Sequence, residues 1–323
     1  MEGNRQYQGI FPAFYACYES DGEVSRDRTQ KLARHLVDKG IHGLYVGGSS
    51  GECIYQSVSE RKRILEWVME AVQRRIPVIA HVACNNTRDS MELAAHAQGL
   101  GVNAIAAIPP IYFHLPQEAI GQYWNDISSA APQTDFFIYN IPQLAGVALT
   151  ASLYRAMLDN PRVAGVKNSS MAAQDIQIFK DLGGPGRVVM NGPDEQLVSG
   201  LAMGADGGIG GTYGVMPELY LRIKACVDSG DLAQARRVQN LACGVIAAMA
   251  ACRGNLYAVM KEILRRREGL DIGSVRAPLP PVTAGDDSAI ATAVRLLDQA
   301  MDSILQQERG SEKQVSPHMD HDI

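Results

Sequence analysis

From Gly9 to about Ser229, short apolar runs rich in β-branched and aromatic residues alternate with stretches whose apolar positions recur every three or four residues. The short runs predict strands over 9–15, 42–46, 77–83, 104–108, 136–141, 163–166, 188–190 and 207–209. The longer period predicts helices over 25–39, 89–98, 117–127, 151–158, 173–180, 195–203 and 217–227. One more helix, after the second strand, opens on the capping box Ser57-x-x-Glu60 and is striped by Ile64, Leu65, Val68 and Val72. Each strand is thus followed by a helix, eight times over.

The strands are apolar on both faces, as parallel strands covered by helices must be. Eight such units predict an α/β fold of the closed (β/α)8 TIM barrel type. An open doubly wound sheet would need a glycine-rich first turn after the strand at Gly9, and none is there. Beyond Ser229 the strands stop, and helices over 232–249, 256–267 and 288–307 predict a C-terminal helical annex, with the proline-rich stretch 278–281 before the last of them. The expected division is a catalytic barrel over 1–228, the annex over 229–308 and a disordered polar tail over 309–323.

Composition narrows the function classes. With 323 residues, 46% hydrophobic and 20% charged, the chain can bury a large core and is not disordered as a whole. A net charge of −5 gives no electrostatic footprint for nucleic acid or an anionic membrane surface. The N-terminus lacks the basic start and apolar stretch of a secretion signal, and no later run is long enough to span a bilayer, so a soluble, cytoplasmic protein is expected. Cys17, Cys53, Cys84, Cys226, Cys243 and Cys252 form no C-x-x-C pair and read as reduced, mostly buried thiols. His81, His96 and His114 lack metal-ligand spacing and read as packing or surface residues, so no metal is expected.

In such a barrel the reacting groups lie at the carboxyl ends of the strands. Lys167 directly follows an apolar strand, where burial disfavours the ammonium and frees a neutral amine to attack a keto group. The ordinary alternative is a snorkelling or ion-paired lysine, as Lys180, Lys224 and Lys261 read on their helices. Tyr139 ends the neighbouring strand and could move a proton in the same pocket, or simply pack on the rim. Gly47-x-Ser49-x-Gly51 matches a nucleophile elbow, but the helix begins only around Ser59, and the histidines after His114 are His318 and His321 alone. A small-residue loop binding a carboxylate through hydroxyls and backbone N–H groups is the better reading. The glycines of 207–211 would let backbone approach a ligand, and Asp194 and Glu195 place two carboxylates at the barrel mouth, as helix caps or as acceptors for sugar hydroxyls.

Together Gly47-Gly48-Ser49-Ser50-Gly51-Glu52, Tyr139-Asn140-Ile141-Pro142, Gly165-Val166-Lys167-Asn168-Ser169 and Asn191-Gly192-Pro193-Asp194-Glu195 resemble the N-acetylneuraminate lyase and dihydrodipicolinate synthase family of class I aldolases. Gly204-Ala205-Asp206-Gly207-Gly208-Ile209-Gly210 adds to the likeness, which runs from about Gly9 to Leu264. The resemblance implies a Schiff-base lysine at Lys167, proton handling by Tyr139, carboxylate binding by Ser49 and Ser50, and a site lined by Ser169, Gly192, Asp194, Glu195 and Gly211. It further implies no dissociable cofactor, a sugar acid and pyruvate as ligands, and a homotetramer in which Tyr112 reaches a neighbouring subunit. Leu144 stands where the synthases place an arginine, and the Asp-Glu pair also resembles the sialic acid branch. Ser50 and Ser169 stand where threonine is common, Pro193 replaces an aromatic, and Gly211 replaces a hydroxyl residue, all of which bear on the choice of sugar acid. The alternatives left open are a 2-keto-3-deoxy sugar acid aldolase, a dihydrodipicolinate synthase, a silent binding protein on the same barrel and, most remotely, a serine hydrolase.

Overall fold

The computed structural model describes residues 4–314. Eight strands, β1 Gly9–Pro12, β2 Leu44–Val46, β3 Val78–His81, β4 Ala104–Ala107, β5 Asp135–Asn140, β6 Val163–Asn168, β7 Val188–Asn191 and β8 Gly207–Gly210, form one parallel sheet in the order β1-β8-β7-β6-β5-β4-β3-β2. A bridge between Ala13 and Tyr45 draws β1 and β2 together, and the N–H of Phe14 donates to the Tyr45 carbonyl at 2.8 Å. The (β/α)8 barrel read from the sequence is therefore the observed fold.

Outside the ring run α1 Arg26–Asp38, α2 Val58–Val72, α3 Thr87–Leu100, α4 Gln117–Ser129, α6 Ala151–Met157, α7 Gln174–Gly183, α8 Leu197–Ala202 and α9 Pro217–Asp228, while the short α5 Pro142–Ala145 sits at the mouth of the barrel after β5. Their starts follow local chemistry: Ser25, Asn86 and Thr150 each accept a first-turn N–H, and Ser57 and Glu60 complete the expected capping box. The annex comprises α10 Leu232–Ala250, α11 Leu256–Glu268 and α12 Asp287–Gln314. Because α12 continues to Gln314, the segment 309–314 is helical where a disordered tail was expected; it is rich in the strong helix formers Glu, Lys, Gln and Arg. The rest of that expected tail, 315–323, lies outside the described residues.

The period of two along each strand builds two cores. Phe11, Tyr45, Ile79, Phe137, Met190 and Ile209 fill the barrel interior, while Ile10, Val46, Ile105, Ile138, Val166 and Val189 face the helices. Each such side chain contributes roughly 1.5–3 kcal/mol by leaving water, so the ring is held from both sides. The annex is joined to the barrel by a buried ion pair: Lys261 Nζ on α11 lies 2.7 Å from Glu52 Oε1, with both side chains excluded from solvent. Lys261, expected from its helical setting to snorkel or to pair with a carboxylate, is ion-paired, and its partner is buried with it.

All six cysteines are free; Cys17 and Cys226 are buried, but the other four are only half-buried, against the expectation of mostly buried thiols. They sit on loops and on helix faces at the edge of the packing, where the core does not enclose them. Among the described residues no helix is long and apolar enough to cross a membrane.

Candidate active site

Strand β6 extends through Asn168, so Lys167 lies within the strand and not after it; the pairing with β5 and β7 continues past the apolar run. The register of β5 and β6 shifts between Phe136 and Phe137, leaving Ala164 as an extra residue on β6. Beyond that bulge Tyr139 pairs with Lys167, and paired residues on parallel strands face the same side of the sheet. Both side chains enter the mouth of the barrel. Gly165 lies below Lys167, where a Cβ would come within 2.8 Å of the Phe137 ring and 2.3 Å of the Val188 carbonyl. Only glycine leaves the lysine's foundation this narrow.

Lys167 is 4% exposed, and its Nζ stands 3.9 Å from the centroid of the Tyr139 ring and 4.2 Å from that of Tyr45. Burial pushes its pKa down to about 7, against a smaller opposing pull from Asp194. A substantial fraction of the amine is therefore neutral near physiological pH. Burial raises Tyr139 to about 12, while hydrogen bonding with Ser49 and Ser169 acts the other way. The aromatic rings attract a cation electrostatically, yet they leave Lys167 without a carboxylate at ion-pairing distance among the described residues.

Opposite this pair, Asp194 is buried in the turn after β7. Its Oδ2 accepts from the Thr212 N–H and the Thr212 hydroxyl, both at 2.6 Å. Burial nevertheless raises its pKa to about 6, with Glu195 adding to the rise. The pair does not cap a regular helix: Asp194–Gln196 is a short 3₁₀ turn ahead of α8, so the helix predicted from 195 starts later. Glu195 is exposed at the cavity wall.

A cavity of about 340 Å³ unites these groups at the carboxyl end of the barrel. Its walls bring together Ser49, Tyr139, Lys167, Ser169, Gly192, Asp194, Glu195 and Gly211, eight of the residues singled out in the sequence. Ser50 sits behind that wall, buried, with its Oγ 3.2 Å from where a Cβ on Gly211 would stand and hydrogen-bonded toward Tyr257. Tyr112 lies away from the cavity; it is 87% exposed, has a φ of 88° and packs edge-on against Phe113. The glycines of 207–211 mostly serve internal packing and not ligand approach: a Cβ on Gly210 would fall 2.1 Å from Asp194 Oδ1, and Gly211, just past β8, is the one of them that borders the cavity.

Tyr45 and three residues of the annex are parts of the site that the sequence did not mark. Tyr45, beneath Lys167, faces inward on β2, and the strand's alternation was the signal that could have found it. Tyr257 and Met260 on α11, with Ile246 on α10, close one side of the cavity. Nothing in a helical stripe says which partner it meets, so the sequence predicts the annex without its share in the site. His81 is a packing residue as expected: its Nδ1 lies 2.9 Å from the Gly47 carbonyl, its ring meets Tyr139 edge-on, and burial lowers its pKa to about 3. It thereby braces the serine loop as a neutral ring. Among the described residues no group of three or more His, Cys, Asp or Glu side chains is placed to hold a metal.

The barrel, together with the relatives it matches, makes the chain an enzyme of the carbon–carbon lyase class. Residues 6–297 match the dihydrodipicolinate synthetase family, and the chain belongs to it. It is 55% identical over 305 residues to the N-acetylneuraminate lyase of Mediterraneibacter gnavus, spanning 94% of this chain and 97% of that one. A solved Ruminococcus gnavus sialic acid aldolase, a catalytic lysine mutant, superposes with a TM-score of 0.91 at 55% identity, covering 92% of this chain and 98% of that one. A Clostridium difficile protein solved in complex with mannosamine gives a TM-score of 0.85 at 28% identity over 89% of this chain and 98% of its own.

Proposed function

We propose that this chain is a class I aldolase acting as an N-acetylneuraminate lyase, cleaving sialic acid into N-acetylmannosamine and pyruvate. The observation that carries the proposal is the dry, partly neutral amine of Lys167 beside the Tyr139 phenol, facing a wall with two carboxylates. The names of its relatives, the lysine mutant solved for one of them and the amino sugar bound to another support the choice of substrate.

In this reading the Lys167 amine adds to the keto carbon and water leaves, giving a protonated imine. The new cation beside the Tyr139 ring lowers the phenol's pKa and helps it accept the proton of the substrate hydroxyl, aided by the substrate carboxylate. The carbon–carbon bond then breaks, its electron pair flows to the iminium nitrogen, and the aldehyde of N-acetylmannosamine departs. Protonation of the enamine and hydrolysis release pyruvate and return the amine. The imine itself is the electron sink, so the scheme calls for no metal or dissociable cofactor. Ser49 and Ser50 would orient the carboxylate, directly and through the loop; Ser169, Gly192 and Gly211 would shape the site; and Asp194 and Glu195 would accept hydrogen bonds from the polyol tail. Gly192 supports Ser169, since a Cβ there would lie 1.9 Å from the serine Oγ.

We further propose a cytoplasmic homotetramer, with the exposed Tyr112 and Phe113 as a contact between copies. The division into a barrel over 1–228 and an annex over 229–308 belongs to the same proposal. Leu144, 59% exposed at the cavity, offers no cation for a second carboxylate, which weighs against a dihydrodipicolinate synthase. The test is borohydride reduction in the presence of pyruvate followed by peptide mapping: the expected adduct is on Lys167, and an adduct elsewhere, or none, refutes the mechanism. A parallel panel of sialic and 2-keto-3-deoxy acids decides the substrate.

A further inference from the structure

Gln239, on α10, is 7% exposed and packs against the turn that presents Asp194 and Glu195. Its Nε2 donates to the Asp194 carbonyl at 3.0 Å, and its Oε1 accepts from the Val198 N–H at 3.2 Å. One side chain thus ties the start of the 3₁₀ turn to the first residues of α8. One helical turn along, Cys243 Sγ meets the Glu195 carbonyl at 3.6 Å, and further on Ile246 borders the cavity. The spacing i, i+4, i+7 sets all three on one face of α10.

The two carboxylates are held unequally. Asp194 has a second fastening, since its Oδ2 is gripped by Thr212, whereas Glu195 is exposed and depends on the backbone of the turn for its placement. Lys167 and Tyr139 are fixed by strand pairing on β5 and β6, outside the reach of Gln239. Loss of the amide would leave a carbonyl and an N–H unpaired in a buried place, and the turn would shift to satisfy them. That shift would move Glu195 most and the lysine least.

We infer that Gln239 is a positioning residue setting specificity for the hydroxylated tail of the sugar acid, acting through Asp194 and Glu195 and not on the pyruvate half of the site. The inference rests on the aldolase reading and assigns to the annex a part in substrate choice. Gln239→Met tests it, removing both hydrogen bonds at nearly constant volume, with kinetics expressed per active site titrated by pyruvate and borohydride. The expected result is a fall of about tenfold in kcat/KM for N-acetylneuraminate, carried by KM, with the half-saturation of pyruvate trapping unchanged within about twofold. Gln239→Glu keeps the acceptor for Val198 and serves as the second variant, with a loss of the same sign. Asn240→Ala, at the exposed next position, is the control. Unchanged constants for N-acetylneuraminate, a parallel weakening of pyruvate trapping, or failure of both variants to fold would each overturn the inference and assign Gln239 to the scaffold alone. Absence of any pyruvate adduct in the unsubstituted enzyme would instead overturn the aldolase reading, and the inference with it.

Discussion

Lys167 and Tyr139 are register partners only because β6 carries Ala164 as one residue more than its neighbour strand requires. Without the bulge Tyr139 would pair with Val166, a residue of the outer core, and the lysine would stand out of step with the phenol. With it, the amine lies 3.9 Å from the centroid of the phenol ring in a place that burial keeps nearly dry.

The lowered pKa of Lys167 predicts the pH profile. As pH rises through about 7 the neutral amine accumulates, so kcat/KM should climb through that value and flatten above it. A profile that is level from weakly acidic to weakly alkaline pH would contradict this. The same shift has a stability consequence. Between about 7 and 10.5 the unfolded chain holds a proton that folded Lys167 lacks, so its contribution to stability rises with pH across that window. Lys167→Met should abolish turnover, raise Tm near neutral pH and remove that part of the pH dependence, as read by thermal unfolding at several pH values.

Tyr139→Phe keeps the ring beneath Lys167 and deletes the hydroxyl. Turnover should fall by about 10²–10⁴, the usual worth of a positioned proton carrier, while pyruvate still traps on Lys167. Loss of trapping in this variant would mean that imine formation itself needs the phenol, and would contradict a role confined to taking the substrate hydroxyl's proton.

The buried pair Glu52 and Lys261 predicts a non-additive stability series. Lys261 also donates to the Ser274 carbonyl at 2.7 Å, and Glu52 Oε2 accepts from the Arg276 N–H at 2.9 Å. Lys261→Met should cost about 3–5 kcal/mol by stranding a buried carboxylate, and adding Glu52→Gln should restore much of it. Urea unfolding of the single and double variants gives the coupling, and simple additivity would contradict the pairing.

Gly210→Ala should act through Asp194, because the new Cβ would fall 2.1 Å from its Oδ1 and 2.5 Å from the Tyr213 ring. The expected result is a loss of about 1–3 kcal/mol from overpacking, with a raised KM for N-acetylneuraminate. Calorimetry and steady-state kinetics check the two halves separately.

Tyr112 holds a positive φ of 88° while almost fully exposed, with its ring edge-on to Phe113, and both side chains are free to serve the proposed contact between copies. Tyr112→Gly should leave the barrel folded and shift the protein toward smaller assemblies in sedimentation. An unchanged sedimentation profile would contradict the proposed contact between copies at Tyr112.

The eightfold alternation is legible in the unfolded chain, because strand and helix periods are local and the capping groups at Ser25, Ser57 and Asn86 act within one turn of their helices. The sequence also marked the chemistry, since Lys167, Tyr139, Ser49 and Asp194 all follow or end apolar runs where a barrel opens. Which of these meet depends on long-range packing. The Ala164 bulge leaves no trace in the hydrophobic pattern, yet it sets the face on which the lysine emerges. Likewise, the apolar stripes of α10 and α11 announce burial without naming a partner, so the approach of Gln239, Tyr257 and Met260 to the site appears only when the annex is folded onto the barrel. Periodicity reports how a segment lies relative to its own axis; register and docking depend on contacts between residues far apart in the chain, and those are fixed by packing.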